Sequence, residues 1–121
     1  SLGHITTFGG HPISCAAALA TLNELQKSTI IESISHKRKL FETHLKHPKI
    51  KKIHGAGLMI ALEFADEKYC QEIVKKILQN GVITFYFLFN RKNIRVSPPL
   101  TIQENEIVDA CNIITSNLDK C

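Results

Sequence analysis

The chain has 121 residues, of which 44% are apolar, and it has a formal net charge of +4 at pH 7. This length supports one hydrophobic core, and the lack of any run of 18 apolar residues argues against a membrane span. No charged and then apolar leader opens the sequence, so we predict a cytoplasmic protein without a signal peptide.

The first predicted feature is a loop at residues 4–15, which reads HITTFGGHPISC. Its glycines allow the backbone to approach a ligand closely, and the hydroxyls of Thr6 and Thr7 can hydrogen-bond an anion. Pro12 suits the first position of a helix. The pattern indicates a phosphate site, and it is equally compatible with an ordinary helix-entry loop whose threonines cap local backbone groups.

Two helices are predicted to follow this loop. An alanine-rich helix runs from Pro12 to about residue 26, because alanine favours helix and keeps it slim enough to pack closely against a neighbour. Thr29 and Glu32 then form a capping-box pattern, which predicts a second helix that ends before Pro48. Its apolar residues recur at helical spacing and its lysines face outwards.

Two clusters of cationic residues, 36–39 and 46–52, raise the question of nucleic-acid binding. Neither cluster is accompanied by aromatic platforms or by a helix-turn-helix pattern, so we favour a solvated face and predict no nucleic-acid partner. His44 and His47 lie three residues apart, but no third ligand is evident and we predict no metal site.

From residue 49 the pattern changes to strands, with one strand at 50–54, a turn at 55–57 and a second strand at 58–64. The even-numbered residues of the second strand are apolar and are predicted to face the helices. Met59, Ala61 and Glu63 are predicted to face solvent or another domain. Glu63 has no evident partner carboxylate or histidine, so a surface or interface role is favoured over a catalytic one.

The second half of the chain is predicted to contain two more helices and two strands. Asp66 is predicted to cap a helix that ends near Asn80 and whose apolar stripe is Tyr69, Ile73, Val74, Ile77 and Leu78. The β-prone segment 82–89 is predicted as a strand, followed by a polar turn at 90–93 and a short strand at 94–96. Thr101 and Glu104 form a second capping-box pattern, which predicts a last helix with a buried line of Ile107, Cys111, Ile114 and Leu118.

The order of these elements predicts an α+β fold in which a small antiparallel or mixed sheet of about four strands is covered by about four helices.

The four cysteines are scattered without a C-x-x-C pair, which argues against a zinc site and a redox motif. We therefore expect reduced thiols.

Arg95 is the second residue of functional interest. Because side chains alternate along a strand, Arg95 points away from the core if Ile94 and Val96 point into it. The double proline at 98–99 fixes where the strand ends. An arginine in this position can bind a carboxylate through two parallel hydrogen bonds, but the strand pattern alone favours a surface residue on an edge strand.

Three segments of the chain together resemble one family. The opening GHITTFGGHPISCAAALATL resembles the G-S-T-[YF]-x-G-[NS]-P-L-x-C-A-A-A-L segment of class III aminotransferases, which depend on pyridoxal phosphate and include ornithine, acetylornithine and 4-aminobutyrate aminotransferases. The segments IHGAGLMIALEF and NIRVSPPLTIQENEI resemble that family's G-x-G-L-M-x-x-x-E-F and I-R-x-x-P-P-L-x-I. The three segments occur in the family's order and cover nearly the whole chain.

The resemblance implies a fold-type-I enzyme that acts as a homodimer and has a large domain and a smaller C-terminal α+β domain. Residues 1–12 correspond to a cofactor-phosphate loop that leads out of the large domain, and residues 13–121 to the C-terminal small domain. Thr7, with Thr6 beside it, corresponds to the threonine that binds the cofactor phosphate of the neighbouring subunit. Arg95 corresponds to the arginine that binds the substrate carboxylate.

The implied activity is amino-group transfer from an amino acid or amine to a 2-oxo acid such as 2-oxoglutarate. The lysine that forms the Schiff base with the cofactor lies upstream in the family, so no catalytic residue is assigned to this chain. We therefore predict that the chain alone is inactive and does not bind pyridoxal phosphate.

One alternative function stays open at this point. The chain is also compatible with a stand-alone α+β module that binds an anionic small molecule through Thr6, Thr7 and Arg95 without chemistry.

Overall fold

The computed structural model describes residues 3 and 5–120, and it confirms the predicted α+β class with four helices and a four-stranded sheet. The chain divides into two compact units, Ser1–Ile31 and Glu32–Cys121, which are described separately. Among the described residues, no helix combines the length and the apolar character that crossing a membrane requires.

The first unit contains α1, which spans Pro12–Lys27 and begins with the predicted proline. No residue of α1 is buried, and Ile13, Leu19 and Leu22 are all more than half exposed. The close packing of this helix against a neighbour therefore stays a prediction. Alanine side chains bury little area by themselves, so a slim helix of this kind depends on its neighbours for burial.

The other three helices are α2 (Ile30–His44), α3 (Glu67–Gln79) and α4 (Glu104–Asp119). Asp66 caps α3 as predicted, because its Oδ1 accepts a hydrogen bond from the backbone N of Tyr69 at 2.9 Å. The predicted capping box of α4 is wrong by two residues. Gln103 and Glu106 form it, because a turn closed by the hydrogen bond from Ile102 N to Pro99 O holds residue 101 outside the helix.

The sheet contains β1 (Lys52–Ala56), β2 (Met59–Glu63), β3 (Phe85–Tyr86) and β4 (Asn93–Val96) in the order β1-β2-β4-β3, and all its pairs are antiparallel. The prediction of a strand over residues 82–89 is wrong for most of that segment. Phe85 and Tyr86 pair with β4, and the backbone N of Phe87 donates to the carbonyl of Asn93 at 3.3 Å, but the ladder includes no other residue of the segment.

The core lies between one face of the sheet and the helices of the second unit. Its largest fully buried side chains come from α2, β2, β4, α3, α4 and the residues directly after α2 and β2, and include Phe41, Leu45, Ile60, Leu62, Phe64, Ile73, Ile77, Ile94, Ile107, Ile114 and Leu118. The four predicted core residues of α4 are all buried. In α3 the predicted stripe is confirmed at Ile73 and Ile77, but Leu78 is 55% exposed and lies outside the core.

Candidate functional site

The face of the sheet that lacks the helical core, which we call the open face, presents one row of side chains across all four strands. His54 of β1 pairs with Ala61 of β2, Ala61 pairs with Arg95 of β4, and Arg95 pairs with Phe85 of β3. Directly paired residues point to the same side of a sheet. The row therefore consists of one imidazole, one methyl group, one guanidinium and one aromatic ring.

Arg95 occupies the exposed position that the sequence predicts, between the buried Ile94 and Val96. The Cζ atom of its guanidinium lies 5.5 Å from the centroid of the Phe85 ring, which is a cation–π distance. Within the described part of the chain, this guanidinium has no hydrogen bond and no ion pair. Stacking uses only the face of the guanidinium, so its N–H groups are available for a carboxylate.

A pocket of about 390 Å³ lies on the open face next to Arg95, and we call it the Ala61 pocket. Ala61 lies between His54 and Arg95, and Met59 and Phe87 supply apolar side chains. The lining is almost entirely apolar apart from those two charged or titratable residues. Pockets for small molecules in proteins have this size and this mixture of groups.

A hydrogen bond joins Glu63 and His54 at the edge of this pocket, with 2.6 Å between Glu63 Oε2 and His54 Nε2. The hydrogen bond from His54 holds the pKa of the Glu63 carboxyl below its ordinary value, with smaller contributions from the charges of His54, Lys51 and Lys52. The prediction that Glu63 has no histidine partner is wrong. The β1–β2 register places the two residues diagonally on the same face, two register positions apart, and the short hairpin is the signal from which this was predictable.

Thr6 and Thr7 lie in an exposed turn before α1. The backbone N of Gly9 donates to the carbonyl of Thr6 at 3.3 Å, and a side chain at Gly9 would overlap the Thr6 hydroxyl. Gly10 has a φ of +77°, which favours glycine, and His11 precedes α1 without a side-chain cap. This loop belongs to the first unit and Arg95 to the second, so the two candidate sites are described independently. His4, the first residue of the predicted loop, lies outside the described residues.

The two cationic clusters make hydrogen bonds within the second unit. Lys37 Nζ donates to the carbonyl of Leu100 at 2.7 Å, and Lys49 Nζ donates to the carbonyl of Leu118 at 2.7 Å. His47 Nδ1 accepts from the backbone N of Lys49 at 3.1 Å. The Lys37 bond connects α2 to the segment before α4, and the Lys49 bond connects the loop after α2 to the C-terminal end of α4, where a cation is favourable for a helix.

The sequence matches the family model of class III aminotransferases over residues 1–118. The chain belongs to the class III aminotransferase family. The match includes the loop with Thr6 and Thr7, the β1–β2 hairpin and the strand with Arg95, which are the three segments that resemble the family.

Two curated relatives show the same affiliation. The chain is 38% identical to an acetylornithine aminotransferase of Caldanaerobacter subterraneus over 97% of its own length and 30% of that relative. It is 35% identical to a putrescine aminotransferase of Pectobacterium atrosepticum over 85% of its own length and 23% of that relative. The chain thus spans less than a third of the relatives that it matches.

Solved structures have the same fold. An acetylornithine aminotransferase from Elizabethkingia anophelis superposes with a TM-score of 0.85 at 27% identity, over the whole chain and 33% of that structure. The ornithine aminotransferase from Toxoplasma gondii, described with partial occupancy of pyridoxal phosphate at its active site, superposes with a TM-score of 0.80 at 30% identity over 94% of the chain and 28% of that structure.

Proposed function

We propose that this chain is the C-terminal domain of a pyridoxal-phosphate-dependent class III aminotransferase, which transfers an amino group from an amino acid or amine to a 2-oxo acid such as 2-oxoglutarate. Residues 1–12 form the cofactor-phosphate loop that leads out of a larger domain, and residues 13–121 form the small domain. One observation gives this proposal its main support. It is an exposed arginine, Arg95, whose guanidinium N–H groups have no partner among the described residues, in a chain of this family.

Arg95 binds the substrate carboxylate in this proposal. Amino acids and 2-oxo acids both have a carboxylate next to the reacting carbon, and a guanidinium binds such a group with two parallel hydrogen bonds. The ring of Phe85 restrains the guanidinium from one side, so less side-chain freedom is lost when a substrate binds.

Thr6 and Thr7 bind the phosphate group of the cofactor held by the neighbouring subunit of a homodimer. Their exposed turn fits a phosphate, because two hydroxyls lie beside the N-terminal end of a 16-residue helix whose cap residue contributes no side-chain bond. When bound, pyridoxal phosphate provides the aldehyde and the conjugated ring that accept an amino group and electrons from the substrate. The lysine that holds it belongs to the larger domain, so the chain alone is inactive and does not retain the cofactor.

The carboxylate role is tested by Arg95→Ala in the full-length protein. We expect kcat/KM for carboxylate substrates to fall about 10- to 100-fold, because a hydrogen bond to a charged group contributes about 1.5–3 kcal/mol. Arg91→Ala is the matched control, since Arg91 is a neighbouring arginine that pairs with Glu67, and it is expected to change kcat/KM less than twofold. An amine donor without a carboxylate, followed in single-turnover experiments, is expected to react equally well with both variants.

Two results contradict this role. One is an equal loss for donors with and without a carboxylate, and the other is a loss in the Arg91 variant of the same size. A full-length protein that binds carboxylates and shows no amino transfer supports the stand-alone anion-binding module instead.

The phosphate role is tested by the affinity of the full-length protein for pyridoxal phosphate, measured by absorbance after equilibrium dialysis. Thr7→Ala is expected to weaken binding about tenfold or more, and Thr7→Ser to retain it, because the hydroxyl is the group that bonds the phosphate. Thr6→Ala is expected to act in the same direction. Thr21→Ala is the matched control, because that hydroxyl bonds the carbonyl of Ala17 within α1. Equal losses in the variants of Thr7 and Thr21 contradict the assignment.

The homodimer and the cytoplasmic location are the remaining parts of the proposal. The homodimer rests on the role given to Thr7, and the location on the scattered cysteines, which suit a reducing compartment. Light scattering coupled to gel filtration of the full-length protein tests the first, and a monomer contradicts it. Subcellular fractionation tests the second.

A further inference from the structure

We infer that the Ala61 pocket holds the carbon chain of the carboxylate substrate, and that the size of residue 61 decides which chain lengths are accepted. The inference rests on the proposed function, because it takes Arg95 as the group that binds the carboxylate. It identifies Ala61 as a specificity-determining residue.

The register of the sheet determines where such a chain would lie. Ala61 pairs directly with Arg95 on one side and with His54 on the other. Neighbouring strands lie about 4.8 Å apart, so about 10 Å separate the Cα atoms of Arg95 and His54. A carboxylate bound to Arg95 with its chain directed along this row has its methylene groups above the methyl group of Ala61.

The small side chain of Ala61 leaves space for these methylene groups between Arg95 and His54. Its neighbours on the same face of β2 are Met59, which is 72% exposed, and Glu63, both of which have longer side chains. A leucine at position 61 would occupy the space between Arg95 and His54. The substitution itself adds no group to β4 or β3, the strands that carry the guanidinium and the Phe85 ring.

The walls of the pocket indicate the chemical class of the ligand. Met59 and Phe87 are apolar, so the pocket suits methylene groups rather than a second charge close to the first. The far end contains the His54–Glu63 pair, which suits a polar group several atoms away from the carboxylate. The substrate is therefore an amino acid or 2-oxo acid with an unbranched aliphatic chain, in which any further polar group lies at the distal end.

The test uses ligand-detected NMR titrations of the full-length protein with unbranched monocarboxylates from acetate to hexanoate. In the wild type we expect Kd to fall up to about fourfold for each added methylene that the pocket buries. Ala61→Leu is expected to remove this dependence on chain length and to leave the Kd for acetate within about twofold. Ala61→Val is expected to give an intermediate dependence of Kd on chain length. This variant replaces Ala61→Leu in the test if the leucine variant does not fold.

Ala65→Leu is the matched control, because it adds the same side chain at an exposed position outside the pocket, and it should behave as the wild type. A wild type without chain-length dependence overturns the inference. The inference is also overturned if Ala61→Leu retains the dependence of Kd on chain length, or if Ala65→Leu loses that dependence as well. Arg95→Ala distinguishes a failure of the proposed function from a failure of this inference. If it leaves the Kd for acetate unchanged, the proposed function fails at this site. If it weakens acetate while Ala61→Leu keeps the dependence, only this inference fails.

Discussion

Replacing Gly55 with alanine is predicted to destabilise the hairpin that supports the Ala61 pocket. Gly55 has a φ of +106°, a conformation that costs a residue with a side chain about 1–3 kcal/mol. The new methyl group would also overlap the carbonyl oxygen of Met59 and lie 3.0 Å from its carbonyl carbon. Because this neighbour is backbone, β1 and β2 would have to move apart, at a further cost of about 1–3 kcal/mol. We expect the free energy of unfolding to fall by about 4 kcal/mol, within a range of about 2–6 kcal/mol.

Gly81→Ala separates these two contributions. Gly81 has a φ of +91°, and a methyl group added there meets no described atom within 4 Å, so only the backbone cost of about 1–3 kcal/mol applies. Urea denaturation followed by circular dichroism measures both variants, with an unchanged m-value as the check on two-state unfolding. If the two variants lose the same free energy within about 0.5 kcal/mol, the overlap with Met59 is refuted as a source of instability.

Three further predictions concern ionisation and burial. Glu63 has a lowered pKa in the folded protein, so its contribution to stability is complete above pH 4.5 and is lost as the pH falls through that lowered pKa. Glu63→Gln should therefore reduce the free energy of unfolding at pH 7. In acid, the unfolding free energies of the variant and the wild type should become equal. Ile77→Ala should cost about 2–5 kcal/mol and Leu78→Ala less than about 0.5 kcal/mol in urea denaturation, because only the first side chain is buried. Iodoacetamide at pH 8, followed by peptide mapping, should label the exposed Cys15 and leave Cys111 unlabelled until unfolding, since burial raises the pKa of Cys111 to about 12.

Local patterns predicted most of the second unit because its burial follows the periods of helix and strand. The four alternate apolar residues at 58–64 are all 5% exposed or less, as a strand with one covered face requires. The same rule placed Arg95 on the open face. The bounds of α3 differ from the prediction by about one residue, because Asp66 and the Asn80–Gly81 pair are strong local signals for its start and end.

The features that were missed depend on which strands are neighbours. A run of aromatic and β-branched residues favours a strand, but a ladder needs a partner, and the backbone bonds to β4 extend only over residues 85–87. Ile83 and Leu88 are more than 70% exposed as a result. The His54–Glu63 pair likewise depends on the register of the hairpin, which alternation within a single strand does not determine.

The two faces of the sheet have different roles, since one face packs in the core and the other presents the side chains of the candidate site. Ile94 and Val96 are buried against the helices, so they fix the backbone on both sides of Arg95, and the prolines that follow end the strand at one point. The Arg95 side chain takes no part in that core, and its position is refined by the Phe85 ring on the neighbouring strand. A guanidinium held in this way is already oriented before a carboxylate arrives, which reduces the entropy lost on binding. Ala61 can change in size on the same face without disturbing either support, because its own neighbours in the core, Ile60 and Leu62, point to the opposite side. Under the roles proposed for Arg95 and Ala61, substrate preference can therefore vary at residue 61 while the core stays constant.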